Sequence, residues 1–510
     1  MVSVHREVED KFEADDDAEL PRLDRLPGVA TVHPPVEVEL YATYFDTAEL
    51  ALAAAGITVR RRTGGDDAGW HLKLPDGNGH RDELRVPLGR AARTVPKPLR
   101  TVVRALSRDR PLAAVATVRT RRCVHRLLDV DGRVLAEVCD DTVSASTPAS
   151  GDAGGEVRWR EWEVELVDGN PTLLVAAGRL LQDVGSSPST QSSKLARVLG
   201  DRVPQNGVVG QPRLKPGVSA GEVVLRRLRE QVAEVKLRDP HARRDAADGV
   251  HKMLVALRRL RSALATFGPL LDREVTDPLR AELKWVATAL GAARDAEVLQ
   301  DKLSAAIRAE SKGLVLGPVS ARVQAELRGA YKHARQSALE TLDSDRYLAA
   351  LDGLDRLVAD PPWTAKAHRP GYEVLPKRMR REWKRLGRRV DEAERAGDQA
   401  QRDNLLHEAR KAAKRTRYAA ETLVPVYRRD AERLATGVKK VQTVLGHHHD
   451  SVLAQPVLRE MAVKAHKDGD SAFSYGRLHR QEQARAEAAA ARFAKTWKKA
   501  SRPKLRSWLR

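Results

Sequence analysis

Two periodicities divide this chain. Over roughly the first two hundred residues charged and apolar side chains alternate one for one, the pattern of strands whose two faces meet different surroundings. HREVEDKFE places Glu7, Glu9 and Lys11 on one face, and YATYFDT (41–47) reads as another strand. ITVRRRT pairs Arg60 with Arg62, GWHLKLP pairs His71 with Lys73, and RDELRVPL aligns Arg81, Glu83 and Arg85. TVRTRRCVHRLLDV brings Arg119 and Arg121 together, and RVLAEVCDD carries Glu137 and then Asp140 or Asp141. VRWREWEVELVDG sets Glu161, Glu163 and Glu165 against Trp162, Val164 and Leu166. Further on, the period becomes helical, as in Met253, Leu257, Leu260, Leu264 and Phe267, which define one apolar side. Between the two regimes PQNGVVGQPRLKPG has the composition of a linker. The expectation is an α+β chain of two domains, residues 1–203 and 219–500, joined by a linker over 204–218.

In a half-buried strand the charged face ordinarily meets solvent. Here the charges are sorted, with acids on the first and last strands and bases on those between. Closing such strands into a barrel would turn the charged faces into a polar lumen and leave Val, Leu and Trp to pack outward against helices. Carboxylates in a lumen suit a hard divalent cation, and guanidinium forks suit phosphate oxygens.

The helical part contains a duplication. VHKMLVALRRLRS (250–262) aligns with HEARKAAKRTRYA (407–419), bringing Arg258 onto Lys414, Arg259 onto Arg415 and Arg261 onto Arg417. LGAARD (290–295) then falls on LGHHHD (445–450), so a whole structural unit is repeated, over about 219–355 and 370–500. On a helix His407, Arg410, Lys414 and Arg417 stack in one stripe, as do His251, Leu254, Arg258 and Arg261. Two cationic ridges facing each other across a groove would suit a polyanion. The histidines of HHHD have no counterparts in AARD and are not read as a metal site.

Charge sharpens this division. The net charge is +20, but residues 1–208 hold 28 Lys and Arg against 32 Asp and Glu, so the excess lies in the helical part. Aromatic residues make up only 4%, which disfavours single-stranded nucleic acid as a partner. No run approaches a membrane span and the acidic start does not resemble a signal peptide, so a cytoplasmic protein is expected. Two cysteines, Cys123 and Cys139, imply no disulfide framework. The oligomeric state is not legible.

Glu7-x-Glu9-x-Lys11, followed by Arg60-x-Arg62, Lys73, Arg81-x-Glu83, Arg119 and a late Glu161-x-Glu163-x-Glu165, resembles the CYTH family, the triphosphate tunnel metalloenzymes. The resemblance implies an eight-stranded antiparallel tunnel in which Mg²⁺ or Mn²⁺ helps cleave a triphosphate. By position it makes Glu7, Glu9, Glu161 and Glu163 metal ligands, with Glu165 a weaker candidate. Lys11, Arg60, Arg62, Lys73, Arg81, Arg119 and Lys194 become phosphate-binding residues, and Glu7, Glu9, Lys11 and Glu163 the catalytic set. The chain departs from the pattern at Arg85, where a third acid is expected, and at His71, where a small hydroxyl residue is common. The duplicated His-x6-Arg/Lys-x2-Arg stretch with its later LG-x3-D resembles the CHAD family, an all-α domain of two related four-helix halves. That likeness implies inorganic polyphosphate bound by His251, Arg258, Arg259, Arg261, His407, Arg410, Lys414, Arg415 and Arg417. Leu254 stands where the family often has arginine, which leaves the first ridge one charge short. Inorganic tripolyphosphate hydrolysis is the leading expectation. The alternatives are thiamine-triphosphatase or adenylyl-cyclase-type activity, or a non-catalytic polyphosphate-binding protein at granules.

Overall fold

A computed structural model describes residues 3–76, 80–89, 93–148, 156–204, 214 and 217–509. Most of the expected linker therefore lies outside the described residues. The chain forms two compact units, residues 1–206 and 207–510.

The first unit is one curled antiparallel sheet. Its strands are β1 (Ser3–Glu7), β2 (Glu9–Ala14), β3 (Thr31–Val32), β4 (Val36–Asp46), β5 (Thr58–Thr63), β6 (Gly69–Pro75), β7 (Arg81–Pro87), β8 (Ala113–Leu128), β9 (Val134–Ser146), β10 (Val157–Leu166) and β11 (Ser187–Pro188). The order is β1-β7-β6-β5-β4-β8-β9-β10-β2-β11, with β3 paired to β8. β1 and β2 are one run of chain interrupted at Val8, yet β1 pairs with β7 and β2 with β10. Their continuity brings the two ends of the sheet together, and the long strands form a ring around a lumen.

Apolar outer faces explain the helices that cover it. Phe12, Trp162 and Val164 are buried under Leu173, Leu174, Ala177 and Leu181 of α3 (Pro171–Gln182). Trp70, Leu72 and Val59 are buried under Leu99 and Val102 of α1 (Lys97–Val102) and Leu106 of α2 (Arg104–Ser107). Asn170 caps α3 by accepting from the backbone N–H of Thr172, and Ser193 caps α4 (Lys194–Leu199) by accepting from that of Ala196. The cap on α4 fixes where Lys194 enters.

The second unit is helical throughout. It comprises α5 (Ala220–Arg243), α6 (Gly249–Thr266), α7 (Arg273–Ala309), α8 (Val319–Leu342), α9 (Asp345–Ala359), α10 (Gly371–Glu394), α11 (Gln399–Lys467) and α12 (Phe473–Ala500). α11 is two helices joined at Arg428, whose φ is 45°. The first repeat thus runs α5 to α8, the second α10, the two parts of α11, and α12, with α9 between them. Met253, Leu257, Leu260, Leu264 and Phe267 are all buried, as their spacing requires. No described helix is long and apolar enough to cross a membrane.

Candidate functional site

Strand register decides which side chains meet inside the ring. Glu163 on β10 stands opposite Lys11 on β2, Glu165 opposite Glu9, and Glu161 opposite Asp141 on β9. Carboxylate oxygens of Asp141, Glu161 and Glu163 lie within 4.8 Å of one another, and all three residues are buried. Lys194 Nζ reaches all of them, at 2.8 Å from Asp141, 2.6 Å from Glu161 and 2.8 Å from Glu163. Lys11 donates to Glu163 and lies 3.0 Å from Glu9. Arg122 forks onto Asp141 at 2.7 and 2.6 Å and also donates to Glu163.

Burial alone would raise the Glu163 carboxyl, but Lys11, Lys194 and Arg122 outweigh it and hold the group well below the usual range. The same contest keeps Lys194 charged: burial opposes its charge, and Asp141, Glu163 and Glu161 prevail. Glu165 has no such partner in contact. Burial, with Glu7 and Glu9 nearby, raises it to about 7.

Most of the remaining cations come from the strands that follow β1 in the sheet. Arg60, Arg62, Lys73, Arg81 and Arg85, carried by β5, β6 and β7, line a cavity of about 400 Å³ together with Glu7, Lys11, Glu163 and Lys194. Lys73 donates to Glu7 Oε1, leaving Glu7 Oε2 buried and without a hydrogen bond. The Nε groups of Arg60 and Arg62 are also buried and unpartnered. Such orphans are costly in a finished site. Here they fit carboxylates whose donor set a cation would complete and guanidinium groups that an anion would satisfy. An all-oxygen donor set of this kind suits a hard divalent ion. β4 and β8 add an apolar strip to the cavity, with Val36, Val38, Leu40 and Val124.

The expected site residues are therefore gathered, with one exception. Glu9 and Glu161 join through their contacts with Lys11 and Lys194. Arg119 does not: its side chain is 58% exposed, bonds Glu39 at 2.8 Å and lies over the Tyr41 ring. TVRTRR carries cations on both faces, and pairing with β4 turns Arg119 and Arg121 outward and Thr120 and Arg122 inward. Arg122 is the member that the sequence does not single out, and of the alternatives Asp140 and Asp141 it is Asp141 that enters. The signal available was the parity of Arg122 with Val118 and Val124 along one face.

In the helical unit α6 packs along the first part of α11, so the two ridges lie side by side. Their cations divide into three groups. Arg258 and Asp295 from the first repeat share a field with Arg410, Lys414 and Asp450 from the second. Arg410 is 3.9 Å from Asp450, and its Nε is buried and unpartnered. His407 stacks on His449, with ring centroids 4.0 Å apart, and His251 is depressed by burial and by Arg294. Around Glu421, Arg259 at 3.2 Å, Arg417 at 2.8 Å and Arg227 at 3.3 Å converge. Arg415 pairs with Glu382 at 2.7 Å, and Arg261 lies near Arg280 and Arg258. Leu254 is fully buried, so its place in the ridge is a core position. His448 Nε2 lies 3.1 Å from an Asp403 oxygen, and among the described residues the only close trio of candidate metal ligands is Asp141, Glu161 and Glu163.

Comparison with known proteins gives matches to a CYTH domain over residues 5–198 and a CHAD domain over 226–459. Two uncharacterized proteins from different strains of Mycobacterium tuberculosis are each 39% identical over 503 residues, covering 95% of this chain and 94% of theirs. Among solved structures, PptA from Streptomyces chartreusis shares 23% identity over 55% of this chain and 100% of its own, with a TM-score of 0.47. The CHAD domain from the plant Ricinus communis shares 23% over 58% of this chain and 94% of its own, with a TM-score of 0.41.

Proposed function

Because the chain belongs to the family of proteins in which a CYTH domain is followed by a CHAD domain, we propose that its first unit hydrolyses inorganic tripolyphosphate and its second binds inorganic polyphosphate. The observation that carries the first half is a lumen lined by carboxylates and guanidinium groups together, some of whose buried polar atoms have no partner. Glu7 Oε2 on β1 and the Nε groups of Arg60 and Arg62 on β5 are buried there without a hydrogen bond.

Glu7, Glu9, Glu161 and Glu163 would hold Mg²⁺ or Mn²⁺, which when bound neutralises phosphate charge and acidifies a water. Arg60, Arg62, Lys73 and Arg81 fix the chain and spread its charge. Lys11 and Lys194, held at the carboxylates, place ammonium groups where a phosphate would meet them. Water adds to the terminal phosphorus as the bridging P–O bond breaks, giving orthophosphate and pyrophosphate. Glu165 lines the same cavity and is placed to take the proton of that water.

Glu163→Gln keeps the shape and removes the charge that Lys11, Lys194 and Arg122 share. Orthophosphate release from tripolyphosphate with Mg²⁺ should fall roughly a hundredfold. Equal release by both proteins means that the tunnel only binds, and supports the non-catalytic alternative. The apolar strip of Val36, Val38, Leu40 and Val124 favours a second reading, in which the substrate carries an organic group, as thiamine triphosphate or ATP does. Assaying orthophosphate, pyrophosphate and cyclic AMP from each substrate separates these activities.

A further inference from the structure

Three bases lie in one row across the sheet. Arg60 on β5 stands opposite His71 on β6, which stands opposite Arg85 on β7. Burial drives His71 down to about 4, so it stands as a neutral ring between two guanidinium groups, and one carboxylate, Glu83, meets all three. Arg85 reaches its Oε2 at 2.6 Å through both Nε and Nη2. His71 Nδ1 lies 2.8 Å from Oε1, and Arg60 lies 3.7 Å from the same oxygen. Glu83 is buried with both oxygens taken by bases of its own and the neighbouring strand, and it lies outside the close carboxylate trio of Asp141, Glu161 and Glu163. Arg85 itself is not sealed: its side chain is 33% exposed and lines the cavity.

Resting on the proposed tunnel reading, we propose that Arg85 is a further phosphate-binding residue whose guanidinium, fixed by Glu83, forms with Arg60 a metal-free phosphate subsite on the β5–β7 part of the lumen. Glu83 neutralises the row without closing Arg85 off from the lumen. The subsite binds phosphate oxygens by charge and fork geometry alone.

The test compares full-length wild type, Arg85→Ala and Arg85→Lys. Calorimetry with tripolyphosphate and Mn²⁺ gives Kd, and equilibrium dialysis with Mn²⁺ alone gives the number of ions bound. Arg85→Ala should weaken tripolyphosphate binding at least about tenfold, Arg85→Lys should recover part of it, and the Mn²⁺ count should stay unchanged. If turnover is measurable, KM should carry the loss while kcat stays within about threefold. An Arg85→Ala Kd within twofold of wild type, or a Mn²⁺ count that falls with Arg85→Ala, overturns the subsite. A wild type that binds tripolyphosphate but releases no phosphate sinks the hydrolase reading and leaves this subsite standing on its binding data.

Discussion

Arg119 and Arg122 are three residues apart on one strand, an odd spacing that sends them to opposite faces. Arg119 finds a solvent-exposed partner, Glu39, whereas Arg122 is held between Asp141 and Glu163 inside the ring. A surface ion pair of the first kind is screened and adds little. Removing Arg122 instead leaves two buried carboxylates short of a donor and takes a guanidinium from the cavity. Arg122→Ala should lower kcat/KM for tripolyphosphate about tenfold to a hundredfold, and Arg119→Ala should leave it within about twofold. Steady-state phosphate release on the two variants checks this contrast, and a larger loss from Arg119→Ala would return that residue to the site. Position 119 could not be settled from the chain, because RTRR supplies cations to both faces and only the pairing with β4 says which enters the lumen.

At the scale of elements, the acidic strand and the duplicated helix behaved differently as signals. VRWREWEVEL has one charged and one apolar face, and Trp162 and Val164 are buried under α3 while Glu161 and Glu163 turn inward. Its alternation left one choice once the apolar face found a helix to pack on. In α6 the stripe containing Leu254 reads as a ridge with a missing charge. That residue is in fact fully buried beside Met253 and Leu257. Restoring the cation should therefore damage the helix packing instead of strengthening the ridge. Leu254→Arg places an unpaired charge in the core, and should cost more than about 3 kcal/mol of stability. A clear fall in thermal midpoint is expected by calorimetry, and an unchanged midpoint with tighter polyphosphate binding would restore the ridge reading. Helical periodicity identifies a stripe but not the angle at which a neighbouring helix covers it.

For the whole molecule, the decisive feature is that the duplication folds back on itself. Lys414 is driven down to about 7 by burial and then by Arg410 and Arg258, the last of which comes from the other repeat. The ammonium is charged below that value and neutral above it. A bound polyanion favours the charged form, so polyphosphate affinity should be retained below pH 7 and fall as pH rises, by at most about tenfold per unit for one proton. Lys414→Arg should flatten the profile, and a wild-type titration between pH 6 and 9 at fixed salt reads both outcomes. The sequence by itself determined the two-part organisation, the strands and helices, the sorting of charge between them and most members of the lumen, because periodicity and charge are properties of the chain. Only the tertiary structure decided that Arg122 and Asp141 enter the lumen and Arg119 leaves it. It also decided that Glu83 is occupied by His71 and Arg85, that Leu254 is core, and that the two basic helices share their cations. The physical reason is common to all of these: strand register and helix contact are relations between segments distant along the chain, and they alone decide which charges lose their water.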